Sequence, residues 1–291
     1  MSNASGLSDK RIIVTGSSMG IGQAVALRLA SEGAKLVINA RNPAAIDDTL
    51  TLIRDGGGEA IAIAGSVANY DEAGALVQRC VEHYGGVDVL INCAGIAEPK
   101  GTSILNIDAN DWQQVIDVHL NGTFNTCRHA APVMVKQGSG TIINSSSHAF
   151  LGMYGGTAYA AGKGATNSLS YAMAADLKAS GINVNVICPG AKTRLSTGSD
   201  FVQTIESLHQ RGLLSDERRY SALNPVGPEY VAALYALLAS DNARHITGQT
   251  FWGSGGYIGR FAESEQQLLA SIDPQAERPW ALESLAAALD L

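Results

Sequence analysis

The chain has 291 residues, of which 46% are hydrophobic and 16% charged, and its formal net charge is −7. This length and composition favour one large globular domain with a substantial core. The acidic balance and the lack of a basic block argue against a nucleic-acid partner. No apolar run of about 18 residues is present, so we expect no membrane span. The N-terminus has no basic-then-apolar signal segment, so we expect a cytoplasmic protein.

The cysteines and histidines are scattered along the chain without the spacing of a metal site. We therefore expect no bound metal. Three of the four cysteines stand among apolar residues, which predicts buried free thiols in a reducing compartment rather than disulfides. The cysteines are Cys80, Cys93, Cys127 and Cys188.

Apolar, β-rich runs alternate with helical stretches along the chain. We predict strands over residues 11–16, 35–40, 60–65, 87–92, 140–146, 183–188 and 249–253. We predict helices over residues 20–32, 43–55, 71–84, 109–137, 157–179 and 228–239. The strands are nearly continuous apolar runs, as expected where both faces of a sheet are covered. The alternation predicts a Rossmann-like, doubly wound parallel sheet in a three-layer α/β/α single domain.

A glycine-rich turn joins the first predicted strand to the first predicted helix. Its spacing is Gly-x-x-x-Gly-x-Gly, which differs from the commonest dinucleotide fingerprint. Glycine lets the backbone turn tightly and approach a pyrophosphate closely, and the following helix N-terminus favours negative charge. We therefore expect the turn to bind a dinucleotide through Gly16, Ser17, Ser18, Gly20, Ile21 and Gly22.

The second predicted strand ends in Ala40 and is followed by Arg41. An acidic residue at the end of this strand accepts hydrogen bonds from the ribose 2′-hydroxyl of NAD. A guanidinium would instead pair with the 2′-phosphate of NADP, and Ser17 or Asn39 would add hydrogen bonds. We therefore expect NADP(H) in preference to NAD(H). The alternative is that Arg41 is a surface arginine beside a turn.

Tyr159 and Lys163 lie four residues apart in Tyr-Ala-Ala-Gly-Lys, and Ser146 stands thirteen residues before the tyrosine. Positions i and i+4 of a helix share a face, so the ammonium would lie close to the phenol and favour its ionised form. The Ser146 hydroxyl would then hold a substrate oxygen near the phenol. The alternative is an ordinary half-exposed helix face, because Tyr-x-x-x-Lys is common by chance.

These motifs occur in one order along the chain, and together they resemble the short-chain dehydrogenase/reductase family. The matching motifs are Thr15-Gly16-x-x-x-Gly20-x-Gly22, Asn92-Cys93-Ala94-Gly95, Ser146, Tyr159-x-x-x-Lys163 and Pro189-Gly190. The resemblance implies that Tyr159 is the general acid/base, that Lys163 holds the nicotinamide ribose and that Ser146 polarises the substrate oxygen.

The resemblance also implies further cofactor contacts. Ser66 and Val67 would lie near the adenine, and the backbone of Asn92, Ala94 and Gly95 would lie along the cofactor. Pro189 and Gly190 would flank the nicotinamide, and Thr193 would hydrogen-bond its carboxamide. Cys93 stands where the family usually has a second Asn, and Ser66 stands where many relatives have Asp.

One family position departs from the usual pattern. The Asn that helps to hold a water in the proton relay corresponds here to His119, when the segment is registered on Gly122 and Phe124. His119 either binds the same water through its backbone carbonyl or is a packed helix histidine. Asn121 falls two residues late, on a different helix face.

The implied activity is the interconversion of a ketone and a secondary alcohol by hydride transfer. Val-His-Leu before Gly-x-Phe, together with Gly255-Gly256-Tyr257, resembles the hydroxyacyl-CoA dehydrogenase part of peroxisomal multifunctional enzymes. A stand-alone NADP(H) reductase of a 3-oxoacyl thioester or similar ketone fits both this resemblance and Arg41. The alternatives are a hydroxysteroid or polyol dehydrogenase, or a catalytically silent nucleotide-binding regulator.

The resemblance covers residues 8–260, which we expect to form the dinucleotide-binding domain. Within it, the polar segment 194–224 is either a mobile lid over the substrate or a plain surface loop. Residues 261–291 form a C-terminal extension with a short amphipathic helix predicted from Pro279 to Leu291, which packs on its own subunit or reaches a neighbour. Helices 109–137 and 157–179 build a two-fold interface in the resembled family, so we expect a homodimer or homotetramer.

Overall fold

The computed structural model describes residues 5–154, 156–193, 198–262, 267–272, 275 and 279–289. Contacts divide the chain into two units, Met1–Arg260 and Phe261–Leu291. Residues 194–197 of the expected lid, and residues 263–266, 273–274, 276–278 and 290–291 of the expected extension, lie outside the described part.

The first unit contains one eight-stranded sheet flanked by helices. The strands are β1 (Arg11–Thr15), β2 (Lys35–Ala40), β3 (Glu59–Ala64), β4 (Val89–Asn92), β5 (Gly140–Ser145), β6 (Ile182–Gly190), β7 (Thr250–Ser254) and β8 (Tyr257–Arg260). The helices are α1 (Gly20–Ser31), α2 (Pro43–Asp55), α3 (Tyr70–Tyr84), α4 (Ala109–Ile116), α5 (Gly122–Gln137), α6 (Ala158–Leu177), α7 (Ser199–Gln210), α8 (Asp216–Leu223) and α9 (Pro228–Ala239).

The sheet has the strand order β3-β2-β1-β4-β5-β6-β7-β8, and every pairing is parallel except β7 with β8. The predicted doubly wound α/β/α fold is therefore confirmed. The strand order reverses direction between β1 and β4, where Val14 pairs with Ile38 on one side and Ile91 on the other. Ligands of open α/β sheets bind outside the carboxyl ends of the strands at such a switch point.

Two hydrophobic clusters cover the two faces of the sheet. One includes Val14 and Ile38 with residues of α1, α2 and α9, such as Leu29. The other includes Ile13 and Val37 with residues of α3, α5 and α6. Adjacent strand residues point to opposite faces, so a strand with a cluster on each face reads as a continuous apolar run.

A polar seam runs through the second cluster. Asn92 on β4 is paired in register with Asn144 on β5, and its Nδ2 donates to Asn144 Oδ1 at 2.9 Å. Asn144 in turn donates to Ser170 Oγ at 2.9 Å, and Thr126 donates to Asn92 Oδ1 at 2.8 Å. All four side chains are buried. This polar seam ties the centre of the sheet to α5 and α6.

Three elements differ from the predictions. The predicted helix over 109–137 is interrupted by a π-helical turn, Asp117–Asn121, between α4 and α5. Strand β8 was missed; it follows a turn of Gly255 and Gly256, with Gly255 at φ +58°, and two-residue glycine turns favour hairpins. The polar segment after residue 193 contains α7 and α8.

The second unit contains one short helix, α10 (Leu282–Ala288), within the range where a helix was predicted. Its Leu282 is exposed, as are Leu268 and Leu269 of the same unit.

Candidate active site

The turn after β1 is built from close backbone approaches. Gly16 has a φ of +64°, and a Cβ on it would lie 2.6 Å from the Cα of Ala94. A Cβ on Gly22 would overlap the carbonyl oxygen of Gly16. Only glycine fits these two positions, so the turn presses directly against the loop that follows β4. Gly20 has a φ of +58°, and a Cβ on it would lie 3.6 Å from Cγ2 of Thr193.

The N-terminus of α1 is open to an anion. Its N-cap residue is Met19, which makes no side-chain capping bond, and the first turn carries no acidic residue. The first N–H groups of a helix have no intrahelical partner, and the helix dipole adds positive potential there. Together with the glycine turn, this end of α1 fits the pyrophosphate of a dinucleotide.

The loop after β4 is fixed against β1. The backbone N–H groups of Cys93 and Ala94 both donate to Thr15 Oγ1, each at 3.2 Å. The side chain of Asn92 is hydrogen-bonded within the polar seam. Only the backbone of Asn92 is therefore left for a cofactor at the edge of the sheet where Gly95 lies. The structure therefore brings the Asn-Cys-Ala-Gly motif against the glycine turn, across the switch point.

The end of β2 matches one part of the cofactor prediction and contradicts another. Arg41 is exposed beyond the carboxyl end of the strand, next to the uncharged Ala40. Ser17 is fully buried; its hydroxyl donates to Val14 O at 2.9 Å and accepts from Asn39 N at 2.9 Å. The Asn39 amide donates to Ile63 O and Gly65 O. These hydrogen bonds hold β1, β2 and β3 together, so the expectation that Ser17 or Asn39 binds a 2′-phosphate is wrong.

The remaining predicted cofactor residues lie at the same edge of the sheet. Ser66 and Val67 follow β3, and the Ser66 N–H donates to the Glu72 carboxylate at 2.7 Å. Pro189 and Gly190 end β6, with Thr193 just beyond. Because the carboxyl ends of parallel strands share one edge, residues far apart in sequence meet along a single crevice.

Tyr159 and Lys163 share one face of α6. The Lys163 side chain is buried, its Nζ donates to Ser145 O at 2.7 Å, and it lies 5.7 Å from the centre of the Tyr159 ring. Burial lowers the pKa of Lys163 to about 8. Burial also raises the pKa of Tyr159, and a hydrogen bond with Ser147 opposes part of that rise. Burial is the largest cause of this shift, and the expected effect of Lys163 on the pKa of Tyr159 stays a prediction.

The three consecutive serines after β5 have different partners. Ser145 Oγ lies 2.8 Å from Tyr235 Oη and 3.3 Å from Cys93 Sγ. Ser146 is buried, and its hydroxyl donates to the backbone carbonyl of Lys163 at 3.0 Å.

Ser147 is half-buried and accepts from the N–H of Ala149 at 3.2 Å. It lies close enough to Tyr159 to lower the pKa of the phenol in part. The substrate-facing hydroxyl, predicted from its spacing to be that of Ser146, stays a prediction. The structure offers Ser147, which lies near Tyr159, as a second candidate.

His119 lies in the π-helical turn, against the same site. Its Nε2 is 2.8 Å from Ile96 O and 3.2 Å from Ile96 N, and its ring meets the Tyr159 ring edge-on at 5.0 Å. Burial lowers the pKa of His119 to about 3, so the imidazole is neutral. Its backbone carbonyl accepts from Thr123 at 2.8 Å and Thr166 at 3.4 Å. These contacts favour a packed helix histidine, the second of the two alternatives. The buried Nδ1 of His119 has no hydrogen-bond partner among the described residues, so the choice between the two stays a prediction.

The segment with α7 and α8 covers one side of this site. Ile205, Leu208 and Leu214 are buried there and form a small cluster with Met153 and Tyr154. Those two residues belong to the stretch between Ser147 and α6. The segment thus packs on the polypeptide that carries the Ser147 and Tyr159 side chains.

The fold and this crevice define a nucleotide-dependent oxidoreductase of Rossmann type. A family model described as short chain dehydrogenase matches residues 10–199. The chain belongs to the short-chain dehydrogenase/reductase family, and it is an enzyme that interconverts carbonyl and hydroxyl groups with a nicotinamide cofactor.

Curated relatives match over most of their length. The chain is 38% identical to a 3-oxoacyl-[acyl-carrier-protein] reductase of Synechocystis sp. over 252 residues, which is 84% of this chain and 96% of the relative. It is 35% identical to a 3β-hydroxysteroid dehydrogenase of Mediterraneibacter gnavus over 263 residues, 86% of this chain and 95% of the relative. A crystal structure of a short chain dehydrogenase from Mycobacterium avium has a TM-score of 0.80 at 33% identity, covering 98% of this chain and 94% of that one.

The described residues contain neither a membrane-spanning helix nor a metal-binding cluster. None of the described helices is long and apolar enough to cross a bilayer. Within the same part of the chain, no group of three or more His, Cys, Asp or Glu side chains is placed to hold a metal ion.

Proposed function

We propose that this enzyme uses NADP(H) to reduce a 3-oxoacyl thioester or a similar ketone, with Tyr159 as the proton donor. The observation that carries the proposal is the position of the Tyr159 side chain, whose ring centre lies 5.7 Å from Lys163 Nζ and which has Ser147 nearby. A silent nucleotide-binding regulator would not require these three groups together.

The chain offers a continuous cradle for the cofactor. Gly16, Gly20 and the open N-terminus of α1 would hold the pyrophosphate, and Ala94 and Gly95 would lie along the ribose. Ser18, Ile21 and Gly22 complete the turn, and Val67 with Ser66 borders the adenine end. Pro189, Gly190 and Thr193 would border the nicotinamide. The bound cofactor supplies the hydride in reduction and accepts it in oxidation.

The proton chemistry belongs to the protein. Ser147 donates a hydrogen bond to the substrate oxygen and so stabilises the negative charge that develops there. Tyr159 transfers its proton to that oxygen, and its raised pKa keeps the phenol protonated near neutral pH, as a donor requires. Lys163, held by the Ser145 carbonyl, stabilises the phenolate left behind. His119 is neutral and packs the phenol ring in place; we assign it this role instead of a relay.

The preference for NADP(H) rests on charge at the end of β2. Ala40 presents no carboxylate, so nothing there repels a 2′-phosphate. The Arg41 guanidinium is exposed and has the planar donor geometry that pairs with phosphate oxygens. Ser17 and Asn39 do not contribute, because their hydrogen bonds are internal.

The choice of substrate rests on the relatives, two of which are 3-oxoacyl-[acyl-carrier-protein] reductases at 38% and 35% identity. The buried Ile205, Leu208 and Leu214 hold the segment with α7 and α8 against Met153 and Tyr154, beside the proposed site. A second candidate is a hydroxysteroid, because a relative named for that activity matches at 35% identity.

We further propose a homodimer or homotetramer built on α5 and α6. The outward-facing side chains of these helices include Phe124, Val135 and Tyr171, each about half exposed in the single chain. Large side chains left exposed on adjacent helices mark an interaction surface. All four cysteines are free thiols, which supports a cytoplasmic location.

The test compares wild type with Tyr159→Phe on a ketone panel. The panel contains acetoacetyl-CoA and a 3-ketosteroid, each with NADPH and NADH. We expect turnover of the thioester with NADPH, and a decrease of about 10² or more in the variant, the scale for losing a positioned acid. Cofactor binding, followed by nicotinamide fluorescence, should be unchanged. Near-normal turnover by the variant would contradict the role of Tyr159.

A further inference from the structure

Helix α6, which carries the proposed proton donor, has no N-terminal cap of its own. Thr157 is the N-cap residue, but its φ of −141° and ψ of −67° leave its side chain without a capping bond. The Thr157 hydroxyl is buried without a hydrogen-bond partner, and the first turn of the helix contains no acidic residue. The orphan N–H groups of a helix start require an acceptor from somewhere.

A distant carboxylate supplies that acceptor. The backbone N–H of Thr157 lies 2.9 Å from Glu98 Oε1 and 3.0 Å from Oε2, and the N–H of Tyr159 donates to Glu98 Oε2 at 2.8 Å. The Thr102 hydroxyl donates to Oε1 at 3.2 Å. Glu98 therefore does for α6 what an Asp or Ser at the N-cap position ordinarily does. Its negative charge also complements the positive end of the helix dipole.

Glu98 stands in the loop that follows β4, three residues beyond Gly95. The same loop is fixed to Thr15 through Cys93 and Ala94, and to His119 through Ile96. The contact between Glu98 and Tyr159 thus joins the loop proposed to lie along the cofactor directly to the backbone of the proposed proton donor.

We propose that Glu98 is a positioning residue, which sets the place of the Tyr159 phenol relative to the cofactor loop. The inference rests on the proposed role of Tyr159. Removing the Glu98 carboxylate should therefore slow the chemical step more than it weakens the binding of cofactor or substrate. A small displacement of a catalytic group costs much in rate, and a displacement of about 1 Å costs as much as 10²-fold.

The matched control is Asp108, which caps α4 by accepting from Asn110 N at 2.7 Å. Glu98→Gln and Asp108→Asn each remove one capping charge. Glu98 accepts from two backbone N–H groups and Asp108 from one, so Glu98→Gln should lower Tm more than Asp108→Asn. We expect Glu98→Gln to reduce kcat about tenfold, with KM for NADPH and for acetoacetyl-CoA within about twofold of wild type. Asp108→Asn should leave kcat unchanged.

Two further measurements separate positioning from stability. With NADPH deuterated at C4 of the nicotinamide, the isotope effect on kcat should rise in Glu98→Gln, because the chemical step becomes more limiting. Glu98→Asp keeps the charge on a side chain one methylene shorter, so its kcat should lie between those of Glu98→Gln and wild type. If Glu98→Gln does not fold, Glu98→Asp takes its place in the test.

The inference is overturned if Glu98→Gln and Glu98→Asp lose no more kcat than Asp108→Asn, or if their loss is entirely in KM. If Tyr159→Phe remains active, the proposed function fails first. If Tyr159→Phe is inactive and the Glu98 variants resemble wild type, only the positioning role fails.

Discussion

The assignment of the substrate-facing hydroxyl can be decided by two alanine variants of neighbouring residues. Ser147 lies near Tyr159 and lowers the pKa of its phenol in part, whereas the Ser146 hydroxyl is buried and donates to the Lys163 carbonyl. Removing a hydrogen-bond donor that stabilises a developing oxyanion costs about 10²–10³ in kcat, or about 2.7–4 kcal/mol. Ser147→Ala should lose activity on this scale, and Ser146→Ala should stay within a few-fold of wild type.

The two variants should differ in stability as well as in rate. Ser146→Ala removes one buried hydrogen bond, which costs about 1 kcal/mol of unfolding free energy. Ser147→Ala removes the cap of the 3₁₀ turn His148–Leu151, at a cost of about 0.5–2 kcal/mol. If the two variants lose similar stability but differ greatly in kcat, the difference in kcat cannot come from unfolding, and it identifies the catalytic hydroxyl.

The assay is steady-state reduction of acetoacetyl-CoA by NADPH, with Tm measured on the same preparations. Ser147→Ala should also move the pH dependence of kcat upward, because the hydrogen bond from Ser147 lowers the pKa of Tyr159. A loss of about 10²-fold in Ser146→Ala, with Ser147→Ala near wild type, would refute the geometric argument and restore the choice made from spacing.

The remaining predictions concern the cofactor and the assembly. Arg41→Ala should weaken NADPH binding about tenfold and leave the Kd for NADH unchanged. This is the low end for a charge-assisted pair, because the side chain is exposed. Equal weakening of both cofactors would contradict the 2′-phosphate role. Light scattering should show a dimer or tetramer, and Phe124→Lys on α5 should dissociate it; a lone 30.3 kDa species in the wild type would exclude the interface. Deleting 274–291 should loosen the oligomer and leave kcat measurable; unchanged mass and stability would make this segment a passive extension.

Patterns confined to one element predicted the fold and much of the site. The glycine turn was predictable because it lies between β1 and α1, which fix its geometry. The pair of Tyr159 and Lys163 was predictable because both residues lie on one face of α6. The sequence does not decide between Ser146 and Ser147, because the count back from Tyr159 crosses a loop, and loops absorb changes of length. The register of strand β5 is the firmer reference.

Other features left no readable signal. The π-helical turn has ordinary helix-forming residues around His119, so its periodicity does not distinguish it. Strand β8 is short, with Tyr257 and Ile258 exposed, and lacks the apolar run of the other strands. The capping of α6 by Glu98 joins residues about 60 positions apart, and no pattern in a single sequence reports such a contact.

The polar seam at the centre of the sheet couples mutations at its four positions. Changing Asn144 alone would remove one hydrogen bond from Asn92 and one from Ser170, at about 1 kcal/mol for each buried bond lost. Asn92 would keep its weaker contact with Cys127 Sγ, and Ser170 would keep Thr166 O. Replacing both members of a pair with apolar groups of similar shape can be nearly neutral. Substitutions at Asn92, Thr126, Asn144 and Ser170 should therefore be strongly epistatic: each single step is deleterious and the combined change is tolerated. In a drifting population these four sites would change as a block or remain as they are.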